Sequence, residues 1–472
     1  MPFDVDAAFH DRRADQFALH EAHLNPQLPR VLRTLGFNRT YVRGEGPWLF
    51  DDAGERYLDL LSGFGVFALG RGHRGVKAAL HKALDMDLPS MVQMDCALLP
   101  GLLAEALCAR SHDGIKRVYF CNSGAEAVES AVKFARSFTK RNRILYCSHG
   151  YHGLTMGALS LNGGTAFREG FGPLLADVEE VPFGDLGALE AALRRGDVAA
   201  FVAEPIQGKG VYEAPIAYWQ GAERACRDAE ALFVMDEVQT GVGRTGTFWC
   251  HEQLGVTPDM ICASKALSGG YIPVAALLAR DDVFRSVYSS MDRALVHSTT
   301  FKQNQLAMVA GLATLAAFDD EGVVAHAAAM GELWKARLTP LQDRYELLAD
   351  VRGAGQMIGL EFAEPTSRRL RGMWRVSERI RPAFFAQTIV LPLFHRHRIL
   401  TQVAADNVNI IKLLPALTVG EEEIDLTVAA LDDVLGDAHR RGGLLVETTA
   451  AMARGSIRRS SRPPHSVAAT SR

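Results

Sequence analysis

Two short apolar runs each end by delivering a charged side chain. The first is Ala231-Leu-Phe-Val-Met-Asp236, continued by Glu-Val-Gln239-Thr-Gly241. The second is Asp259-Met-Ile-Cys-Ala-Ser-Lys265, followed at once by Ala-Leu-Ser-Gly-Gly270. Both runs are flanked by turn residues, so both read as buried strands. A lysine and a carboxylate carried out of one apolar layer suit a particular chemistry. The lysine amine can hold an aldehyde cofactor as a Schiff base, and the carboxylate can keep that cofactor's pyridine nitrogen protonated. The protonated ring then draws electrons from the carbon beside the bound nitrogen. That is the chemistry of pyridoxal phosphate (PLP). Taken singly, a lysine or aspartate at a strand end is most often a solvated terminus or a cap. The reading therefore depends on further parts in the same chain.

A phosphate seat is the next part. Val118-Tyr-Phe-Cys-Asn122 reads as a strand, and Ser123-Gly-Ala-Glu126 opens a helix with Val128, Ala131, Val132 and Ala135 on one face. Ser123 and Glu126 have capping-box spacing. Gly124 lets the backbone approach an anion at the helix start, where free amides are available as donors. Capping and phosphate binding are compatible in one segment.

Six motifs then stand in a telling order. They are Asn122-Ser-Gly-Ala-Glu126, Tyr151-His-Gly153, Ala203-Glu-Pro-Ile-Gln-Gly208, Asp236-Glu-Val-Gln-Thr-Gly241, Ser264-Lys-Ala-Leu-Ser-Gly-Gly270 and Thr299-Thr-Phe-Lys-Gln-Asn304. In these motifs, and from about Tyr41 to about Leu435, the chain resembles the class III (omega) PLP-dependent aminotransferases. The resemblance implies an α/β fold: PLP-dependent transferase fold type I, the aspartate aminotransferase-like fold. Its large domain carries a mainly parallel sheet and is joined by a smaller α+β domain. Lys265 would be the Schiff-base lysine and proton carrier, with Asp236 on the pyridine nitrogen. Gln239 would bond the ring's phenolic oxygen. Ser123, Gly124 and Ala125 would hold the phosphate, Tyr151 would stack on the ring, and His152 and Glu204 would lie beside it, Glu204 also near the substrate pocket. Thr300 would reach the phosphate in a neighbouring subunit, which implies a homodimer. An amine substrate would displace Lys265, and two half-reactions on one site would give ping-pong kinetics.

The elements that must position these residues follow from the same pattern. Residues 76–340 alternate strand-like runs with helical patterns, as expected of a large domain with a parallel sheet covered on both faces. Ligands then sit at the carboxyl ends of the strands. Residues 1–75 are expected to join the smaller domain, formed chiefly by 341–440. Within it, Gly353-Ala-Gly355 before Met357-Ile-Gly-Leu-Glu-Phe362 reads as a turn into a strand, and Glu421 to Leu435 as a closing helix. Residues 441–472, rich in Ser, Arg, Pro, Ala and Thr, read as a disordered tail.

Composition excludes several classes. The chain has 472 residues, 48% hydrophobic and 22% charged, with a formal net charge of −4. That is globular, and it carries no nucleic-acid footprint. No apolar run is long enough to span a bilayer. The acidic start Met1-Pro-Phe-Asp-Val-Asp lacks a signal core. The seven cysteines form no CxxC pair, so reduced thiols in a cytoplasmic protein are expected. Gly241-Val-Gly-Arg-Thr-Gly246 matches GxGxxG, but Thr247-Phe-Trp-Cys-His-Glu is a poor start for the helix a dinucleotide site needs. His149 with His152, and His395 with His397, lack further ligands at metal spacing.

Substrate choice rests on finer likeness. Gly63-Phe-Gly-Val-Phe-Ala-Leu-Gly70, Phe167 to Leu175, Val181-Pro-Phe-Gly184 and His251 to Asp259 look most like the putrescine and other terminal-amine transaminases. Phe64, Val66 and Phe67 would then line an apolar substrate tunnel, with a keto acid or aldehyde as co-substrate. Where relatives carry an arginine for a substrate carboxylate, Asn409-Ile-Ile-Lys412 offers a lysine, a point charge without the guanidinium fork. The apolar run Phe384 to Phe394 raises an alternative, a pocket enlarged for a bulky or lipid-like amine or aldehyde. Another PLP reaction on the same fold, by an aminomutase or a decarboxylase, is a further alternative.

Overall fold

The computed structural model describes residues 3–404 and 408–441; all of the expected tail 441–472 but its first residue lies outside them. Along the chain come β1 Tyr41–Glu45, β2 Trp48–Asp51 and β3 Arg56–Asp59, then β4 Ile115–Cys121, β5 Arg143–Cys147, β6 Val178–Val181 and β7 Val198–Ala203. A short hairpin, β8 Ile206–Gln207 and β9 Tyr212–Glu213, precedes β10 Leu232–Asp236, β11 Met260–Ala263 and β12 Ala275–Arg280. The last are β13 Leu348–Ala354, β14 Met357–Phe362, β15 Ile399–Leu400, β16 Gln402–Val403 and β17 Ile410–Leu413.

The central sheet has the order β4-β12-β11-β10-β7-β5-β6. Only β12 runs against the others. Its inner strands β7, β10 and β11 are apolar at nearly every position because both faces are covered. Ile261 and Ala263 pack with Leu103, Met308 and Leu315 on one face. Met260 and Cys262 pack on the other with Val128, Ala131 and Ala135 of the helix Gly124–Thr139. The period-two alternation of a strand thus fills two separate cores. β10 and β11 are parallel neighbours, with Asp236 opposite Cys262, so the two runs that carry Asp236 and Lys265 end side by side.

A second core lies in the C-terminal part. Ile358 and Leu360 of β14 pack with Trp334 and Leu338 of the helix Val323–Arg344, and with Leu431 and Val434 of the helix Glu421–Arg441. Here one expectation is corrected. The apolar run Phe384 to Phe394 is the helix Phe384–His397, and its Phe385, Ile389, Val390 and Leu393 belong to this core. None of its residues lines the cavity at Lys265. Apolarity required burial, and the C-terminal helices supplied it. The strands β1 to β3 form a sheet with β15, so the N-terminal segment pairs with the C-terminal part. Among the described residues no helix is long and apolar enough to cross a membrane.

Candidate active site

The residues with chemistry gather where parallel strands end. Ser123 follows β4, Tyr151 and His152 follow β5, Glu204 follows β7, Asp236 closes β10 and Lys265 follows β11. A cavity of about 500 Å³ is lined by all of these together with Gly124, Ala125, Gln239 and Val66. That volume suits a cofactor-sized ligand.

The phosphate-seat motif is built as its spacing predicts. Ser123 caps the helix Gly124–Thr139: its Oγ accepts from the Glu126 N–H, while the Glu126 carboxylate accepts from the Ser123 N–H at 3.2 Å. Such a cap is worth about 1 kcal/mol. It leaves the Gly124 and Ala125 amides without an acceptor among the described residues, both at the cavity wall. Thr300 is exposed and outside the cavity, although its neighbour Thr299 Oγ1 accepts from Asn122 Nδ2 at 3.4 Å.

Asp236 is buried and divided between two partners. One oxygen accepts from the Val238 N–H at 3.1 Å, and the other meets His152 Nδ1 at 2.7 Å. Burial by itself would depress the His152 pKa, but the hydrogen bond and charge of Asp236 outweigh it and raise it. His152 Nε2 is buried without a partner among the described residues. Glu204 is also buried; its oxygens accept from the Tyr151 and Gly208 N–H groups, each at 2.8 Å. Burial, the largest influence, raises its pKa.

Lys265 occupies a left-handed backbone position at φ 44°, at the start of a tight turn that ends in Gly269 and Gly270. For a residue with a Cβ this conformation is strained. Among the described residues its amine has neither a hydrogen-bond nor an ion-pair partner. Burial holds it below its ordinary pKa, against the pull of Asp236 and Glu204.

The predicted substrate residues divide. Val66 lines the cavity. Phe64 is exposed, and its carbonyl accepts from Gln239 Nε2 at 3.1 Å. The Phe67 ring lies under the Arg71 guanidinium at 4.3 Å and packs against Gly270, a lining residue, without lining the cavity itself. Lys412 does not line the cavity either. Its side chain is buried, and Nζ donates to the Gly208 carbonyl and to Gln239 Oε1. Burial, then the nearby Lys265 charge, lower its pKa to about 7.

Sequence reasoning missed Lys209 and Arg244. Lys209 is buried with Nζ over the Phe167 and Tyr151 rings, at 4.5 and 5.4 Å. Its only signal was its place directly after the Ala203-to-Gly208 motif. Arg244, inside the rejected GxGxxG match, is fully buried and donates to the Gln356 and Pro415 carbonyls. That segment fastens the central sheet's loops to the C-terminal part. The paired histidines have ordinary partners: His395 meets the Leu35 carbonyl and His397 meets Asp433.

The donor set fits PLP on the structure's own terms. A helix start offers two unsatisfied amides, a buried carboxylate stands in the cavity wall, and an unpaired amine and an aromatic ring share the same cavity.

Comparison with known proteins agrees. Aminotransferase PigE of Serratia sp. is 34% identical over 454 residues, covering 89% of this chain and 53% of that protein. The chain thus spans about half the length of that relative. Acetylornithine aminotransferase of Caldanaerobacter subterraneus subsp. tengcongensis is 33% identical over 408 residues, covering 84% of this chain and 94% of that protein. The ornithine aminotransferase from Toxoplasma gondii, solved with partial occupancy of PLP at its active site, superposes with a TM-score of 0.79 at 26% identity, covering 92% of this chain and 98% of that one. The model of the family described as aminotransferase class-III matches residues 33–435, and the chain belongs to that family of PLP-dependent enzymes of fold type I.

Proposed function

We propose that this aminotransferase moves an amino group between a terminal primary amine and a keto acid or aldehyde, in two half-reactions on one site. The observation that supports the terminal amine is the cavity lining. Among its described residues Lys265 is the one lysine or arginine. A terminal amine needs no further cation, whereas an amino donor with a carboxylate beside its reacting carbon, like a keto acid co-substrate, has to bring that carboxylate in without one.

Pyridoxal phosphate, when bound, supplies an electron sink for the carbon attached to the substrate nitrogen. The Gly124 and Ala125 amides, with Ser123, would hold its phosphate, and Asp236 its ring nitrogen. Gln239 would donate to its phenolic oxygen, and Tyr151 would cover the ring. His152 keeps the Asp236 carboxylate oriented through its 2.7 Å contact. Lys265 would hold the cofactor's aldehyde carbon and, once displaced by substrate, move the proton between the reacting carbons. Its depressed pKa favours the neutral amine that this task needs. Val66, Leu154 and Ile272 add apolar side chains to the cavity lining.

The test is an absorbance titration of purified protein with glutamate, alanine, putrescine, ornithine and a long-chain primary amine. The band of the bound cofactor is expected to bleach with putrescine and return with a keto acid. Bleaching by glutamate or alanine alone would refute the terminal-amine reading.

The reading includes a homodimer. Thr300 stands beside exposed Leu295 and Phe301, and Gln305 bonds to Ser90 and the Pro89 carbonyl. Met94 and Leu98, a few residues beyond Ser90 in the chain, are exposed as well, and exposed apolar side chains are what a subunit contact would cover. Sedimentation is expected to give twice the chain mass. A fully active monomer would exclude a cross-subunit role for Thr300.

A further inference from the structure

The side chain of Lys412 crosses from β17 to the turn between β8 and β9 and to the loop after β10. It is 6% exposed. Its ammonium donates to the Gly208 carbonyl and, at 3.2 Å, to Gln239 Oε1. At its other end Gln239 donates from Nε2 to the Phe64 carbonyl at 3.1 Å. An ammonium has only donors, and a backbone carbonyl only accepts. Both partners therefore demand the same orientation of the amide. Turned end for end, Gln239 would set its NH2 against the ammonium and its oxygen against the Phe64 carbonyl, and lose both bonds. The amide NH2 has a second hydrogen beyond the one given to Phe64, and Gln239 lines the cavity. The wall has no slack here. A Cβ on Gly208 would stand 2.8 Å from Gln239 Oε1 and 2.9 Å from Glu204 Oε2.

We propose that Lys412 is a positioning residue that presents the Gln239 amide to the cofactor pocket donor-end first, and that it does not bind a substrate carboxylate. The inference rests on the transaminase reading of the Lys265 cavity. It assigns Lys412 to the geometry of the cofactor side of the site. Recognition of a keto acid then falls to groups other than Lys412.

Three single variants and one double variant test it: Lys412→Met, which keeps the bulk of the side chain but removes its donors; Lys412→Arg, which keeps donors; Gln239→Leu, which removes the amide; and Lys412→Met combined with Gln239→Leu. Two readouts are taken. One is the dissociation constant of PLP from the apoprotein, with the pH titration of the bound cofactor's absorbance. The other is KM and kcat for pyruvate and for putrescine. Lys412→Met is expected to weaken PLP binding and shift the absorbance titration as Gln239→Leu does, by about tenfold in each constant. The double variant should add little beyond either single change. The KM for pyruvate should rise no more than that for putrescine. A rise of about 100-fold in the pyruvate KM alone, with unchanged PLP binding and spectrum, would overturn the proposal and make Lys412 a carboxylate clamp. Lys412→Arg keeps the test sharp if the Met variant does not fold. A clamp would gain from the guanidinium fork and lower the pyruvate KM, whereas a positioning role leaves the ratio of the two KM values unchanged. Should the parent protein transaminate neither compound, the terminal-amine reading fails, and PLP binding and spectra still decide the role of Lys412.

Discussion

Lys265→Ala is expected to abolish turnover, lowering it by at least about 10⁴-fold, while the protein stays folded. The amine has no polar partner in the described structure, so its removal breaks no hydrogen bond or ion pair. The left-handed backbone at φ 44° persists with alanine, and its strain is unchanged. Thermal stability should therefore stay within about 1 kcal/mol of the parent. The phosphate seat and the Asp236 wall do not involve Lys265, so PLP should still bind, without a covalent bond. Single-turnover kinetics, a melting curve and a mass spectrum of the PLP-incubated variant make the check. Retained turnover, or a covalent PLP adduct in the variant, would sink the mechanism.

Asp236→Asn should lower kcat by about 10³-fold, because a neutral amide cannot hold a protonated ring nitrogen as a carboxylate does. The same change has a signature independent of catalysis. In the parent, Asp236 raises the pKa of buried His152 above its ordinary value. A raised histidine pKa adds stability that is fully present below the unfolded value of about 6.5 and is lost as pH rises through the folded value. The stability gap between parent and variant apoprotein should thus be larger at acid pH than at alkaline pH. Denaturant unfolding of both proteins on either side of the His152 titration reads it. An equal gap at both pH values would mean that the pair carries no charge coupling.

The sequence made much of this site legible because its parts are local. Ser123 and Glu126 are three residues apart, and their capping box forms within a single turn. The runs that end at Asp236 and Lys265 are apolar throughout, so each could be read as a strand covered on both faces. Their order implied a parallel sheet, and the carboxyl-end rule placed the ligand.

The partners that span the chain were not legible. Asp236 and His152 are 84 residues apart, and Gln239 and Lys412 are 173 apart. No local periodicity encodes a contact at such range. Lys412 carried a carboxylate-binding expectation because of where it falls in a motif. Its burial, and the acceptors at Gly208 and Gln239, exist only once β17 is packed against the β8–β9 turn and the loop after β10. Phe384 to Phe394 makes the same point for packing. An apolar run declares that it will be buried but not against which surface, and helices from the C-terminal part claimed it. By itself the sequence determined the element types, the caps and the chemical identity of the site's reactive groups, since these follow from neighbours along the chain. Tertiary structure alone decided which charges pair, which lysine stays free and which is tied down, because burial and hydrogen-bond partners belong to the packed whole.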